Sequence, residues 1–190
     1  LWGAYQTGEW FELDHQAYSL VAEAGYQWTH APWTPWIRAG FNMGSGDSNA
    51  SDGDHETFYQ MLPTARLYSW SILYNMMNNQ DAFLMLILKP HRKVTIRSDF
   101  HTIWLDEKND RWYVGAGPVS NNTAGGYAAR SSSGKRELGQ LLDIGIWWKV
   151  RPNVTVSGYF GHFFGGDVVK GFFSDQTNSN FAYMDVSVNF

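Results

Sequence analysis

The sequence predicts an all-β fold, a transmembrane antiparallel up-and-down β-barrel with about eight strands in this chain, on three observations. Apolar residues alternate with polar or small ones at period two over stretches of about nine to thirteen residues. The connectors between these stretches alternate short and long. The last stretch, "FAYMDVSVNF", sets Ala182, Met184, Val186, Val188 and Phe190 on one face and Tyr183, Asp185, Ser187 and Asn189 on the other. Most soluble domains end in a frayed polar tail, whereas an apolar strand face that stops at an aromatic ring is suited to lipid. Ordinary globular strands average ~5–6 residues, and a tilted strand crossing a bilayer needs ~9–11.

The elements follow in order. Residues 1–12 alternate poorly, since both faces carry Trp, and "ELDHQ" (12–16) reads as a short external link. Next, Tyr18, Leu20, Ala22, Ala24, Tyr26 and Trp28 oppose Ser19, Glu23, Gly25 and Gln27. Ile37, Ala39, Phe41 and Met43 then oppose Trp36, Arg38, Gly40 and Asn42. "AFLMLILK" is apolar on both faces and predicts a strand buried on both, its inner side covered by a loop. Beyond it, Val94, Ile96, Phe100 and Trp104 oppose Thr95, Arg97, Asp99 and His101. Leu142, Ile144, Ile146 and Trp148 oppose Asp143, Gly145, Trp147 and Lys149, and Val154, Val156 and Phe160 oppose Thr155, Ser157 and Tyr159. Tight links built on Pro fall at 29–35, 89–93 and 150–153, where proline stops pairing and sets a turn. Long polar loops fall at 44–79, about 107–137 and about 165–180. Short turns on one rim and long loops on the other are the layout of an outer-membrane barrel. Trp28, Trp33, Trp36, Trp104, Trp148 and Tyr183 are expected in its interfacial girdles.

Composition narrows the function classes. Of 190 residues 17% are aromatic and only 17% charged, and the longest apolar run is far short of the ~20 residues of a spanning helix, which excludes a helical membrane protein. There is no Cys, hence no disulfide framework or thiolate metal site. The net charge of -4 argues against a nucleic-acid partner. The chain opens inside a strand pattern with no initiator Met, as a processed or truncated product would. Residues 1–190 are read as one barrel domain or the C-terminal portion of one.

The segments "AEAGYQW", then "PWIRAGFNMGSGDSNASDGDHETFYQMLPTARLYSW", then "LKPHRKVTIRSDFHTIWLDEKNDRWY", covering roughly residues 20–115, carry a resemblance to the alginate export family of outer-membrane channels. Its elements are Ser45, Gly46 and Asp47, an Asp-Gly loop at Asp52 and Gly53, a Pro-Thr element at Pro63 and Thr64, and a hairpin turned at Pro90. One departure is Ala65 and Arg66, where the family typically carries a polar or aromatic pair. The resemblance implies about twice as many strands as this chain holds, so the chain is expected to be the C-terminal half of a 16–18-stranded barrel, wide enough for an aqueous channel. It also implies an Arg/Lys-lined passage for an anionic polyuronate. The terminal strand ending at Phe190 resembles the signal read by the barrel-assembly machinery.

The expected function is therefore a bacterial outer-membrane channel, not an enzyme, for passive passage of small solutes or an anionic oligosaccharide. Glu23, Arg38, Asn42, Arg97, Asp99, His101, Asp143, Lys149 and Asp185 fall on the predicted lumen side and are the candidate pore-lining residues. They can equally pair across strands and stiffen the wall. Trp36, Trp147 and Tyr159 could stack on sugar rings or simply fill a core. No cofactor or metal is assigned. Asp47, Asn49, Ser51 and Asp54 are reminiscent of a calcium loop, but the Gly is one place off and no Glu follows at the twelfth position. Ser157, His162 and Asp167 suggest a hydrolase, but Ser157 and His162 have opposite strand parity. The partners expected are outer-membrane lipid, the assembly machinery and the remainder of the barrel. Two other readings stay open: a soluble Trp-rich β-sandwich that binds carbohydrate, and a small closed barrel with a structural or adhesive role.

Overall fold

The alternating stretches form strands throughout the computed structural model, which describes residues 1–61, 69–71, 73–115 and 128–190. In chain order the elements are β1 (Trp2–Trp10), β2 (Leu13–Gln27), β3 (Trp36–Gly44), a two-residue β4 (Asp54–His55), β5 (Asn79–His91) and β6 (Val94–Trp104). A small pair follows, β7 (Arg111–Tyr113) and β8 (Ala129–Ser131), then β9 (Glu137–Arg151), β10 (Val154–Gly165), a helical turn α1 (Asp167–Lys170) and β11 (Ser179–Val188). The eight long strands lie side by side in the order β1-β2-β3-β5-β6-β9-β10-β11, each antiparallel to its neighbour. This is the all-β meander that the periodicity predicts. The sheet is not closed: β1 and β11 are its edges among the described residues.

Because side chains alternate across a strand, one face of the sheet is bare and the other is covered. The bare face carries Leu20, Ile37, Leu84, Phe100, Leu142, Ile144, Ile146, Phe160, Met184 and Val186, all exposed. That apolar area far exceeds what a water-facing surface normally shows. A polar residue in this face is satisfied by the backbone, as where Ser98 Oγ donates to the Asp143 carbonyl at 2.9 Å. The covered face carries the connectors. Phe58 and Met76 pack over Ala17 and Val21. Leu105, Trp112, Val168 and Val169 pack over Ile103, Leu138, Leu141 and Phe163. The core thus sits between the sheet and its own long connectors, at the rim where those connectors arise.

Details differ from the sequence expectation for local reasons. The first hairpin turns at Phe11 and Glu12 alone, Phe11 taking φ 57°, so Leu13 to Gln16 pair in β2 instead of forming a link. Pro90 lies inside β5, where the register shifts between Leu88 and His91, a bulge that accommodates the missing N–H. The turn then falls at Arg92 and Lys93. Trp36 and Tyr183, named for a girdle and placed by alternation beside Arg38 and Asp185, share the covered face with those two residues by strand parity. "AFLMLILK" is not buried on both faces as expected: Leu84 is exposed on the bare face, where no layer covers the sheet, and Phe83 and Met85 are buried on the covered side, the side expected to carry a loop. Pro63, Thr64, Ala65 and Arg66 lie outside the described residues.

Candidate functional site: the covered face of the sheet

The segment after β3 folds over the covered face, and the short residues of the Ser-Gly-Asp element explain how. At Gly44 an added Cβ would stand 1.7 Å from the Met76 carbonyl oxygen, and at Gly46 2.0 Å from Asn78 Oδ1. Only glycine lets the chain pass so closely under the returning segment. Between them, Ser45 Oγ donates to the Glu56 carbonyl at 2.7 Å and accepts the Tyr18 N–H at 3.0 Å, tying the connector to β2. Asp47 N–H donates to Asp110 Oδ2. Asp110 collects three further donors: Thr57 Oγ1 at 2.6 Å, its neighbour Arg111 N–H, and the Tyr113 hydroxyl at 2.9 Å. Burial, reinforced by the Asp110 charge, pushes the Tyr113 hydroxyl up, so it remains a donor. Asn78 bridges the same layer to the next connector through the carbonyls of Glu107 and Arg111 and the Glu107 N–H.

The oxygens of the "DSNASDGD" stretch are used locally. Asp47 Oδ1 accepts the Asn49 N–H, Asn49 Oδ1 the Ser51 N–H and Asp52 Oδ1 the Asp54 N–H. These are turn-forming bonds of short polar side chains. Burial raises the Asp47 carboxyl above its ordinary value, against the lowering effect of its Asn49 bond.

Deeper along the strands, the predicted polar residues sort into two layers. Toward the short-turn rim, Arg38 Nη2 meets Glu23 Oε2 at 2.5 Å across β2 and β3, with the guanidinium 5.3 Å from the Trp36 ring centroid. Lys149 and Asp185 are exposed on the same face. Toward the long-connector rim lies a buried network. Asn42 Nδ2 donates to Asp81 Oδ2 at 3.1 Å, and the Tyr74 hydroxyl to the same oxygen at 2.8 Å. His101 Nδ1 lies 2.9 Å from it. Burial, with Asp81 adding to it, holds the Tyr74 hydroxyl well above its usual range. Arg97 Nε donates to Asp99 Oδ2 at 2.6 Å. Asp143 stands opposite Asp99 in the ladder and accepts Ser69 Oγ at 2.7 Å and the Tyr159 hydroxyl at 2.5 Å. One nitrogen or oxygen from each of Asp99, His101 and Asp143 lies within 4.8 Å of the others, a spacing that suits a metal ion.

All nine predicted residues therefore share one face, and the structure brings Asn42, Arg97, Asp99, His101 and Asp143 into or beside one buried cluster. Asp81, Ser69 and Tyr74 were not anticipated. Asp81 was legible, since it shares the parity of Phe83 and Met85; Ser69 and Tyr74 carry no periodic signal. Tyr159 is buried against Asp143, whereas Trp147 joins Trp70 (ring centroids 5.3 Å apart), Ser157, Tyr183 and Asp185 around an open hollow of about 670 Å³. Ser157 shares the covered-face parity of buried Tyr159. His162 falls on the opposite face and bonds Asn180 Oδ1 at 2.6 Å, so the two do not meet.

At the long-connector rim, His15 Nδ1 lies 2.8 Å from the His55 carbonyl, and the His55 ring stacks on Trp10 at 4.6 Å. Burial, with His15 beside it, lowers the His55 imidazole to about 4.

Comparison with known families adds the decisive observation: the profile described as Alginate export matches residues 1–183. The chain belongs to the alginate export family. This is a family of outer-membrane transport channels of β-barrel architecture, found in Gram-negative bacteria, and it is not a family of enzymes. A search of curated proteins finds no significant match. The Ser-Gly-Asp element that carries the sequence resemblance is the latch that turns β3 under the returning segment, and the hairpin at Pro90 is the bulged end of β5.

Proposed function

We propose that this chain forms part of the wall of a bacterial outer-membrane channel through which an anionic oligosaccharide or small anionic solutes pass passively along the covered face. The observation that carries the reading is the division of the eight strands into a bare apolar face and a face of charged residues partly roofed by residues 69–71 and 73–78. Apolar residues fit lipid on one side, and the polar side, with a hollow of about 670 Å³ next to Trp147 and Tyr183, fits a wet passage.

Burial also alters the charge that a permeant would meet. By sequence the nine residues offer Arg38, Arg97 and Lys149 against Glu23, Asp99, Asp143 and Asp185. Asp99 and Asp143 are 2% and 1% exposed and spend their charge inside the network. Arg97 spends its charge there too, on Asp99 Oδ2, so the accessible remainder is Arg38 and Lys149 against Glu23 and Asp185, and each Arg or Lys that lines a pore wall favours anions. The test is reversal potential in planar bilayers, using the full protein. Arg38→Gln and Lys149→Gln should each move it toward cations, Arg38→Gln more so because it leaves Glu23 uncompensated. Unchanged potentials in both variants would remove these side chains from the passage. Release from membranes by salt alone, without detergent, would favour a soluble carbohydrate-binding sandwich instead.

A further inference from the structure

We propose that Asp99, His101 and Asp143 form a binding site for a first-row divalent cation, with Zn²⁺ as its representative, set into the wall beneath the inward-folded segment. The placement follows from strand geometry. Asp99 and His101 are two apart on β6 and so share a face, and Asp143 on β9 is the direct ladder partner of Asp99. Like charges directly opposite one another are unfavourable in a sheet, and burying them makes the conflict worse. Among the described residues, the only guanidinium bound to this pair is Arg97, on Asp99 Oδ2. Counting Asp81, three buried carboxylates there converge on one arginine and one imidazole.

A second, independent observation points to a ligand. His101 is fully buried, and its Nδ1 is committed to Asp81 at 2.9 Å. In the neutral ring, the form that ligates a metal, that bond fixes the proton on Nδ1 and leaves the Nε2 lone pair for the ion. Nε2 has no hydrogen-bond partner among the described residues, and neither has Asp99 Oδ1. A buried polar atom without a partner calls for an explanation, and here two of them belong to residues whose donor atoms already cluster within 4.8 Å.

The surroundings are those of a supported metal site. A histidine that ligates a metal ordinarily donates its other N–H to a carboxylate, and Asp81 stands in that position. Asp143 is oriented by the Ser69 and Tyr159 hydroxyls and Asp99 by Arg97. One imidazole with two carboxylates favours zinc or a neighbouring transition metal over calcium or magnesium, which take oxygen ligands. Three protein ligands leave a fourth position for water. Such an ion would tie β6 to β9 and, through Ser69 on Asp143, hold the inward segment against the wall. The inference is independent of what the channel conducts.

The test uses the full protein in detergent, stripped with chelator, and titrated with ZnCl₂ by calorimetry. One equivalent should bind per chain. Asp99→Asn and His101→Ala should abolish it, and Asp81→Asn, which alters the carboxylate behind the histidine and no ligand atom, should weaken it ~10–100-fold. His55→Ala should leave it intact, which separates this site from the His15–His55 pair. Retained heat-modifiable gel migration checks that each variant is folded. X-ray absorption on the zinc-loaded wild type needs no variant and should report a nitrogen/oxygen shell with a single imidazole. No zinc binding by the stripped protein, binding unchanged by Asp99→Asn, or a two-imidazole shell would each overturn the proposal.

Discussion

Arginine placed along the bare face of β9 tests whether that face meets lipid. Gln140, Leu142, Ile144, Ile146 and Trp148 are all exposed there, and Ile144 is the central residue of the fifteen in the strand. With a rise of ~3.3 Å per residue and a tilt of ~40°, each residue advances about 2.5 Å along the membrane normal, so an apolar band ~25 Å tall spans about ten residues. Ile144 then sits at the midplane, flanked by Ser98 and Phe160 on the neighbouring strands. Gln140 and Trp148 lie about 10 Å to either side, near the interfaces where a polar residue and a girdle tryptophan belong. Ile144→Arg should therefore cost ~2–4 kcal/mol, Leu142→Arg and Ile146→Arg somewhat less, and Gln140→Arg ~0–1. The assay is reversible guanidinium unfolding of the full protein into and out of phospholipid vesicles. A flat profile along the four positions, or a peak that persists unchanged in lipid-free detergent-exchanged protein, would refute the assignment of this face to lipid.

Two further outcomes are expected. His55 is held neutral in the folded protein, at about 4 against 6.5 for the free side chain. Since the unfolded chain takes up the proton more readily, the contribution of this site is full above about pH 6.5 and is lost as pH falls toward 4. The loss is about 1–2 kcal/mol once water at the rim is allowed for. Hydrogen exchange of residues 54–58 should accelerate across that window, and His55→Phe, which keeps the stack on Trp10, should flatten the response. Gly44→Ala forces a Cβ against the Met76 carbonyl and should unseat the returning segment. Faster protease cleavage within residues 45–78 and a larger single-channel conductance are the readouts; neither changing would mean that the close approach is unimportant.

The strands were legible because period two survives wherever one face meets a uniform environment. Both faces of β2, β3, β6, β9 and β10 fall where their alternation puts them. What alternation cannot give is depth. Asp99 and Asp185 have the same parity, yet Asp99 lies beneath the roofing segment and Asp185 on an open edge strand. Nor does it give the roof itself: Ser69 and Tyr74 are aperiodic, and their role appears only when a connector returns over the sheet. The first turn was missed because it is made by Phe11 in a left-handed conformation, a residue type that gives no turn signal. Trp36 and Tyr183 were given both a girdle and an inner-face place because an aromatic near a strand end suits both.

Closure of the sheet is the remaining question, and the edges frame it. β1 and β11 run nine and ten residues with no partner on their outer sides among the described residues. Within a bilayer such edges must pair with something, because lipid offers no hydrogen bonds. If β1 paired with β11, eight strands would enclose an interior just wide enough for side chains. The covered face already holds roofing residues such as Ser69, Tyr74 and Asn78 and a hollow of about 670 Å³ beside β11, more than side chains alone would leave room for. The edges are therefore expected to meet other strands rather than each other. The chain has no cysteine, so paired cysteines read this cleanly. Tyr5→Cys combined with Met184→Cys, Val186→Cys or Val188→Cys scans the registers on the bare face, where facing strand residues come within disulfide reach. In the full protein no pair should oxidise to an intrachain β1–β11 bridge. Near-complete bridging at one register would establish a closed eight-stranded barrel, and conduction along the covered face would then lack the space it needs.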